Sequence, residues 1–531
     1  MSCLWTLIRG GVLTLASIGG VSVAQAQAFA DLKSALVDYS RADLAPRKAC
    51  AALAQRRAKD IAEIQAVVVA AEGETPEFCR VTGVLKPEIA FEVSLPVRWN
   101  GRLYMIGNGG HAGQALDDPT RVADRNTAIR LGFAFAQTNT GHDARKEPGA
   151  TFVMSNPQKA IDYAYRAVHL TAVTAKRIAK RYYAKSVAHA YWNSCSNGGR
   201  QGLLEAQRYP KDFDGVIAHA PWVSQTGFML GALWNHRALT GASITAGKLS
   251  LVANKVMEQC DAIDGLKDGL IDDPRECRFD PRRDVQACPA GSDADDCLTA
   301  VQADAINKVY SGPQSNGKTI FPGFMPGSET PVVNAAGASV SPWLGFIVPS
   351  PEGRAADFGL AENTLRYLVF TPPQPEYDYR NFDFDRDVHL LDAWAKQANA
   401  TSVELKKFRA RGGKVLMTYG WADQILQPLM GVDYYEQVTR RFGSQTMDFA
   451  RLFMVPGMTH CSGGNGPDRF DPVSAIVDWV EKGKAPESLR ASRVVNNQVV
   501  RTRPLCPYPK VARYSGKGSI DEAANFSCVA P

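Results

Sequence analysis

The sequence has few of the features that mark nucleic-acid-binding or membrane proteins. Its 531 residues carry a formal net charge of only +6, and no lysine- or arginine-rich run stands out. Nucleic-acid binding therefore has little support, because it needs a concentrated basic surface. Beyond the N-terminus no apolar run is long enough for a transmembrane helix, and Cys3 has no lipobox. The length fits one large domain with an insertion, or about three small domains.

The N-terminus has the pattern of a secretory signal peptide. Arg9 precedes an apolar stretch over residues 10–23, which is too short for a comfortable membrane span. We predict a signal peptide over residues 1–26, with cleavage after Ala26 or Ala28. The mature chain is then expected to be secreted or periplasmic in a bacterium, with no membrane attachment.

The cysteine count fits an oxidising compartment. Without Cys3 ten cysteines remain, and an even number there favours five disulfides. The sequence alone does not fix the pairing. Spacing suggests four local pairs and one long-range pair, which are Cys50–Cys79, Cys260–Cys277, Cys288–Cys297, Cys506–Cys528 and Cys195–Cys461.

A turn of small residues around Ser196 has the pattern of a nucleophile elbow. An apolar run over residues 187–192 predicts a strand before the turn, and residues 200–208 predict a helix after it. Such a tight turn holds a serine Oγ out at the top of a sheet. Ser194 stands where the G-x-S-x-G pattern has its first glycine. The alternative interpretation is a Ser/Gly turn without chemistry.

Two more candidates follow predicted strands, in the order Ser, Asp, His that α/β-hydrolases use. Asp423 comes after the strand at residues 412–419, and His460 after the strand at residues 451–455. In this scheme His460 removes the proton of Ser196, and Asp423 fixes the imidazole tautomer. Taken singly, Asp423 also fits a loop-capping carboxylate and His460 a structural histidine.

Two cysteines flank this proposed catalytic pair. Cys195 precedes Ser196, and Cys461 follows His460. If the serine Oγ and the histidine Nε2 lie ~3 Å apart, the flanking Cα atoms can approach the ~5.5 Å that a disulfide requires. We therefore expect a Cys195–Cys461 disulfide that holds the nucleophile close to the base.

A glycine cluster at residues 107–113 follows an early predicted strand. An α/β-hydrolase donates its second oxyanion N–H from this position. We assign the oxyanion donors to the backbone N–H groups of Asn197 and Gly110, the latter chosen over Gly109 by position alone. The alternative is a flexible loop. His111 either lines the site or is a polar surface residue.

Strand and helix signals alternate up to residue 221, which predicts a parallel sheet with helices on its faces. Residues 29–71 are expected to be helical or irregular, and the C-terminal tail irregular. From about residue 222 to 401 the alternation fails. We predict an α/β-hydrolase fold in which residues 27–221 and 402–531 form the catalytic domain and residues 222–401 an inserted lid domain.

Three motifs together resemble the tannase and feruloyl esterase family. They are Cys-Ser-x-Gly-Gly-Arg at residues 195–200, Gly-Trp-Ala-Asp at residues 420–423 and His-Cys at residues 460–461. The resemblance implies a serine esterase with a disulfide beside its triad. The family also includes hydrolases of mono(2-hydroxyethyl) terephthalate. Ser194 departs from the glycine of many members.

An acidic, glycine-containing loop spans residues 260–272. Hard cations take several oxygen ligands, so the loop fits either calcium or a solvated acidic turn. The family resemblance implies a structural Ca²⁺ in the lid. It further implies ligation by the side chains of Asp261, Asp264 and Asp268 and by the carbonyls of Leu266 and Leu270.

The expected function is hydrolysis of a small-molecule ester of a hydroxycinnamic or gallic type acid, in the manner of a feruloyl esterase. Tannase activity and hydrolysis of a terephthalate monoester are the alternatives, and a non-catalytic calcium-dependent binding protein is a further one. Three aromatic residues of the lid either contact the acyl group or form the core of the lid. They are Phe324, Trp343 and Phe346. Terephthalate or gallate would require a polar partner, for which the lid offers Arg354, Arg366 and Arg380.

Overall fold

The computed structural model describes residues 42–55, 59–334, 337–349 and 354–531. The predicted signal peptide at residues 1–26 lies outside this part of the chain. Among the described helices, none combines the length and the apolar character that crossing a bilayer requires.

Nine of the described strands form one sheet, in the spatial order β1-β2-β3-β5-β4-β6-β7-β12-β13. The remaining strands form two-stranded ladders. The strand bounds are β1 (Ile61–Val69), β2 (Phe78–Leu85), β3 (Ile89–Pro96), β4 (Arg102–Ile106), β5 (Ala134–Thr138), β6 (His189–Cys195), β7 (Gly215–His219), β8 (Gln314–Ser315), β9 (Lys318–Thr319), β10 (Val332–Val333), β11 (Ser339–Val340), β12 (Lys414–Gly420), β13 (Ala450–Val455), β14 (Leu489–Val495), β15 (Gln498–Leu505), β16 (Val511–Tyr514) and β17 (Phe526–Val529).

The sheet is antiparallel at one end and parallel through its centre. Strands β1, β2, β3 and β5 pair antiparallel, whereas β5, β4, β6, β7, β12 and β13 pair parallel. The parallel strands β7, β12 and β13 are buried along nearly their whole length, as expected for parallel strands covered on both faces. The α/β architecture predicted from the alternation of strands and helices is confirmed.

The helices lie on both faces of the sheet and in the inserted segment. The α-helices are α1 (Pro119–Arg130), α2 (Phe152–Ser155), α3 (Gln158–Ile161), α4 (Ala167–Tyr183), α5 (Asn197–Arg208), α6 (Gln225–Leu239), α7 (Ala246–Cys260), α8 (Pro281–Asp284), α9 (Ala300–Ser311), α10 (Ala356–Asn363), α11 (Asp392–Ala398), α12 (Lys406–Ala410), α13 (Pro428–Phe442) and α14 (Pro472–Lys482). Shorter 3₁₀ or π segments are Cys50–Ala54, Asp162–Arg166, Pro274–Glu276, Thr364–Val369, Tyr379–Asn381, Val388–Leu391, Gly443–Asp448 and Ala523–Asn525.

Two hydrophobic cores hold these helices to the sheet. On one face α1 and α14 cover side chains such as Tyr104, Tyr191 and Leu416. On the other face α4, α5 and α13 cover Met105 and Trp192 among others.

The described residues between β7 and β12 contribute no strand to the nine-stranded sheet. They form helices α6 to α12 and short ladders, and α6 packs against α9 and α10. The segment therefore starts and ends close to the predicted lid boundaries at residues 222 and 401. Its status as a separate domain stays a prediction.

Two local predictions are wrong. Residues 61–69, expected to be helical or irregular, form edge strand β1, which pairs with β2. The tail forms two antiparallel hairpins, β14–β15 and β16–β17, instead of irregular structure. Each of these strands pairs with its neighbour in the sequence, but most of their residues are exposed or half-buried. The apolar alternation that marks a half-buried strand is therefore weak there.

Five disulfides cross-link the described chain, and their partners are the pairs that spacing suggests. Four of them close loops of 9 to 29 residues. The Cys195–Cys461 bridge spans 266 residues and joins the end of β6 to the loop after β13.

Candidate active site

Ser196 occupies the sharp turn between β6 and α5. Its backbone has φ 63°, a left-handed conformation that a non-glycine residue rarely adopts. A Cβ on Gly198 would lie 1.9 Å from the Ser194 Oγ, and one on Gly199 would lie 2.8 Å from the His219 carbonyl oxygen. The glycines are therefore required by close packing, and Ser194 fits its position only because residue 198 has no side chain.

Asp423 and His460 form a buried carboxylate–imidazole pair. The His460 Nδ1 lies 2.8 Å from the Asp423 Oδ2, and both side chains are at most 2% exposed. The Asp423 Oδ1 accepts hydrogen bonds from the N–H groups of Ile425 and Leu426. The carboxylate is therefore fixed on both oxygens, and it orients the ring with Nε2 away from itself.

The Cys195–Cys461 bridge lies against the histidine ring. A ring nitrogen of His460 is within 4.8 Å of both bridge sulfurs, and the two Cα atoms are 6.0 Å apart. The His460 Nε2 is buried and has no hydrogen-bond partner within the described chain. It is therefore available to a reacting group.

A partly open pocket, with about 350 Å³ of empty space that includes some solvent at its mouth, is lined by Ser196, His460 and Gly110. The rest of its lining is apolar and consists of Trp222, Phe228, Phe346, Leu360, Ile425 and Leu426. Residues from the sheet loops and from the segment between β7 and β12 thus share one site. None of these lining side chains besides His460 carries a titratable group.

The two predicted oxyanion donors lie at this site. Asn197 is the first residue of α5, so its N–H has no carbonyl within the helix. Among the described residues, neither the Asn197 N–H nor the Gly110 N–H has an acceptor. Two free backbone donors beside a serine Oγ can stabilise an oxyanion.

A buried network ties the two donor loops together, and the sequence did not reveal it. The Arg200 Nε donates to the Asn197 Oδ1 at 2.7 Å, and its guanidinium lies over the Tyr163 ring. The Tyr163 hydroxyl donates to the Gly110 carbonyl at 3.3 Å. Burial lowers the pKa of Arg200 and raises that of Tyr163. The arginine of the Gly-Gly-Arg motif is therefore a positioning residue.

Gln424 contacts the backbone of the proposed base. The Gln424 Oε1 accepts the backbone N–H of His460 at 3.2 Å, a contact that nothing in the sequence indicates.

His111 is a buried residue. Its Nε2 lies 3.0 Å from the Thr364 Oγ1. Burial lowers the pKa of His111 to about 3. The interpretation of His111 as a surface residue is therefore wrong.

The lid aromatics divide between the two suggested roles. Phe346 lines the cavity. Phe324 and Trp343 are buried against each other with ring centroids 6.2 Å apart, and the Trp343 N–H donates to Ser328. These two are lid core.

The three candidate lid arginines do not line the cavity. Arg354 and Arg366 pair with Glu362, and Arg380 pairs with Asp378. A cationic partner for the far end of an aromatic acid is therefore not supplied by these three side chains.

The acidic loop gathers its carboxylates in a segment closed by the Cys260–Cys277 bridge. Asp264 and Asp272 hydrogen-bond to each other, and burial with the neighbouring carboxylates raises the pKa of both. The Asp261 Oδ1 accepts the N–H groups of Asp268 and Gly269. The all-oxygen donor set fits a hard divalent cation, which would neutralise the excess negative charge.

Two other observations bear on this loop. Asp268 pairs with Arg503, so part of its negative charge is already balanced, and Asp272 joins the cluster although the sequence did not single it out. Leu270 provides one of the predicted carbonyl ligands. Its side chain packs against Gly457. The loop thus contacts the turn that leads to His460.

Comparison with known proteins places the chain among esterases. The profile described as "Tannase and feruloyl esterase" matches residues 69–529. An uncharacterized esterase of Xanthomonas campestris is 35% identical, over 86% of this chain and 84% of the relative. The mono(2-hydroxyethyl) terephthalate hydrolase of Piscinibacter sakaiensis is 32% identical, over 88% and 87%. The crystal structure of feruloyl esterase B from Aspergillus oryzae superposes with a TM-score of 0.76 and 29% identity, covering 91% of this chain and 100% of that one.

Proposed function

The chain belongs to the tannase and feruloyl esterase family and is a carboxylic ester hydrolase, and on this premise we propose that it is an exported feruloyl-type esterase with Ser196, His460 and Asp423 as its triad. The observation that supports the triad is the Asp423–His460 pair, whose free Nε2 shares an apolar cavity with the elbow serine. Nucleophile, base and orienting acid are thus provided at one site.

The proposed reaction has two steps. The Ser196 Oγ attacks the ester carbonyl while its proton passes to the His460 Nε2, and the Asn197 and Gly110 N–H groups stabilise the oxyanion. His460 returns the proton to the leaving alcohol, which leaves an acyl-enzyme. A water molecule, deprotonated by His460, then releases the acid and restores the serine. Asp423 stabilises the imidazolium in both steps.

The composition of the cavity favours a neutral aromatic acyl group. Phe228, Phe346 and Leu360 offer apolar surface to an aromatic ring. The indole N–H of Trp222 is buried without an acceptor in the described chain, and it suits a neutral oxygen such as that of a phenol or methoxy group. A terephthalate carboxylate or the three hydroxyls of gallate would lose more hydration than this lining replaces.

A substrate panel tests this proposal. We expect kcat/KM to decrease from methyl ferulate to methyl gallate to the terephthalate monoester, with at least about a 10-fold advantage for ferulate over the monoester because an unpaired buried carboxylate is costly. Methyl cinnamate, which has no ring oxygens, is the matched control for the phenol and methoxy groups. A higher kcat/KM for the terephthalate monoester would overturn the assignment of the acyl group and leave the esterase chemistry intact.

Export is proposed from the N-terminal pattern and is supported by the disulfides. Five bridges are expected to persist only in an oxidising compartment. The N-terminal residue of the protein from the producing cell checks this: Gln27 or Phe29 agrees with signal cleavage, and an intact Met1 does not.

We also propose that the acidic loop holds a structural Ca²⁺ through Asp261, Asp264 and Asp268, with the carbonyls of Leu266 and Leu270. The contact between Asp264 and Asp272 supports the proposal, because two half-buried carboxylates in contact need either a proton or a cation. Bound calcium would be a structural element of the lid, and the hydrolytic steps do not use it.

Chelation provides a test. EGTA is expected to lower Tm by several degrees, because a ligand bound only to the folded state stabilises it, and added Ca²⁺ should restore Tm. Asp264→Asn should abolish this response, whereas Asp296→Asn, a change at an exposed lid aspartate, should retain it. An identical Tm with EGTA and with Ca²⁺ would argue against a calcium site.

A further inference from the structure

A second cluster of ligand-type side chains lies outside the site described above. His169 on α4, Glu205 on α5 and Asp212 in the connection to β7 each place one potential ligand atom within 4.8 Å of the others. The His169 Nδ1 lies 2.5 Å from the Asp212 Oδ2. The proposed triad does not use any of these three residues.

Glu205 is the unusual member of this cluster. Its side chain is 1% exposed, and its Oε2 is buried without a hydrogen-bond donor among the described residues. Its carboxyl group lies against that of Asp212, and burial followed by the Asp212 charge raises the pKa of Glu205 well above its ordinary value. Two acidic groups in contact, one of them fully buried, require a proton or a cation between them.

The two carboxylates are not neutralised by a neighbouring cation. No lysine or arginine of the described residues forms an ion pair with Glu205 or Asp212. The nearby Lys176 ammonium donates to the Lys211 carbonyl, and Arg411 pairs with Asp214. A divalent ion at this cluster would therefore not compete with a cationic side chain already bound there.

We propose that His169, Glu205 and Asp212 form a binding site for a divalent transition-metal ion of the Zn²⁺ type. One imidazole and two carboxylates are donors that Zn²⁺ accepts, with a water molecule to complete four ligands. His169 is 28% exposed, which gives the ion a route from solvent, and Tyr209 stacks on its ring with centroids 3.8 Å apart and fixes its plane.

Binding requires a small local adjustment. Ligands about 2.0 Å from a tetrahedral ion lie about 3.3 Å apart, so the His169 Nδ1 and Asp212 Oδ2 must separate slightly.

Such an ion would join the elbow helix to its neighbour. α5 begins at Asn197, directly after Ser196, and Glu205 lies two turns further along the same helix. A metal bond from Glu205 to His169 would fix α5 against α4. The expected effect is on stability, since the cluster does not line the cavity at Ser196.

Zinc titration of the full-length protein tests the inference. With Ca²⁺ present to occupy the acidic loop, calorimetry with ZnCl₂ alone should give one site, and a 100-fold excess over Kd should raise Tm by about 2–3 °C. His169→Ala and Glu205→Gln should each lose the site and the Tm rise. His389→Ala, which removes an exposed lid histidine, should retain both.

Two results would contradict the proposed zinc site. A wild-type Tm that Zn²⁺ leaves unchanged, or a zinc response that persists in His169→Ala, would overturn the site. His169 is partly exposed, so its variant remains informative even if Glu205→Gln does not fold. Esterase activity is not part of the readout.

Discussion

Ser196→Ala is expected to lower kcat for ester hydrolysis by about 10⁵-fold while leaving Tm nearly unchanged. The hydroxyl is the proposed nucleophile, and removal of a triad serine leaves only the contribution of the oxyanion donors and substrate binding. Alanine accepts the φ of 63° no worse than serine does, because both have only a Cβ close to the backbone. Steady-state kinetics on methyl ferulate and a thermal melt give the two readouts.

A neighbouring serine supplies the matched control. Ser194→Gly changes a serine two residues away and restores the glycine of the usual elbow pattern, so activity should stay within a few-fold of wild type. A fluorophosphonate should label the wild type and Ser194→Gly but not Ser196→Ala. Labelling of folded Ser196→Ala, or retained hydrolysis by it, would place the nucleophile elsewhere.

The elements that the sequence predicts well are those whose signal is local. β6, β12 and β13 are short apolar runs that end in Ser196, Asp423 and His460, and in an α/β fold such strand ends meet at one edge of the sheet. The order of the three residues and the cysteines beside two of them then predict which distant segments come together. The Asp423–His460 contact agrees with that reasoning.

The elements that the sequence does not predict are those with a weak local signal. Edge strand β1 pairs with the next strand β2, but most of its residues are exposed or half-buried, so its apolar alternation is weak. The Gln424 Oε1 accepts the His460 N–H, and the Tyr163 hydroxyl donates to the Gly110 carbonyl and accepts from the Gln225 Nε2. Such contacts depend on side-chain placement in three dimensions, and their residue types are common in any loop or helix.

The same limit applies to the cluster of His169, Glu205 and Asp212. Neither spacing nor composition marks these residues, since 43 positions separate the histidine from Asp212. Glu205 lies on the buried face of α5, where a carboxylate is unexpected. A carboxylate on the otherwise apolar face of a helix is therefore a signal that the sequence does contain. Only the fold shows that His169 and Asp212 lie beside it.

Removal of the Cys195–Cys461 bridge, by the double change Cys195→Ala and Cys461→Ala, is expected to lower both stability and activity. The bridge closes a 266-residue loop, and the chain-entropy relation for such a loop gives about 5.6 kcal/mol. It also joins the residue before the nucleophile to the residue after the base. A displacement of about 1 Å between Ser196 and His460 would reduce kcat by about 100-fold.

The double change Cys288→Ala and Cys297→Ala separates these two effects. That bridge closes only 9 residues of the lid, for which the same relation gives about 2.5 kcal/mol, and kcat should be unchanged. Because Asp423 and Gln424 still hold His460, the first variant should keep a slow fluorophosphonate reaction at Ser196 below its own Tm. If its kcat instead stays within about threefold of wild type, these hydrogen bonds alone position the base, and the bridge contributes stability without a catalytic role.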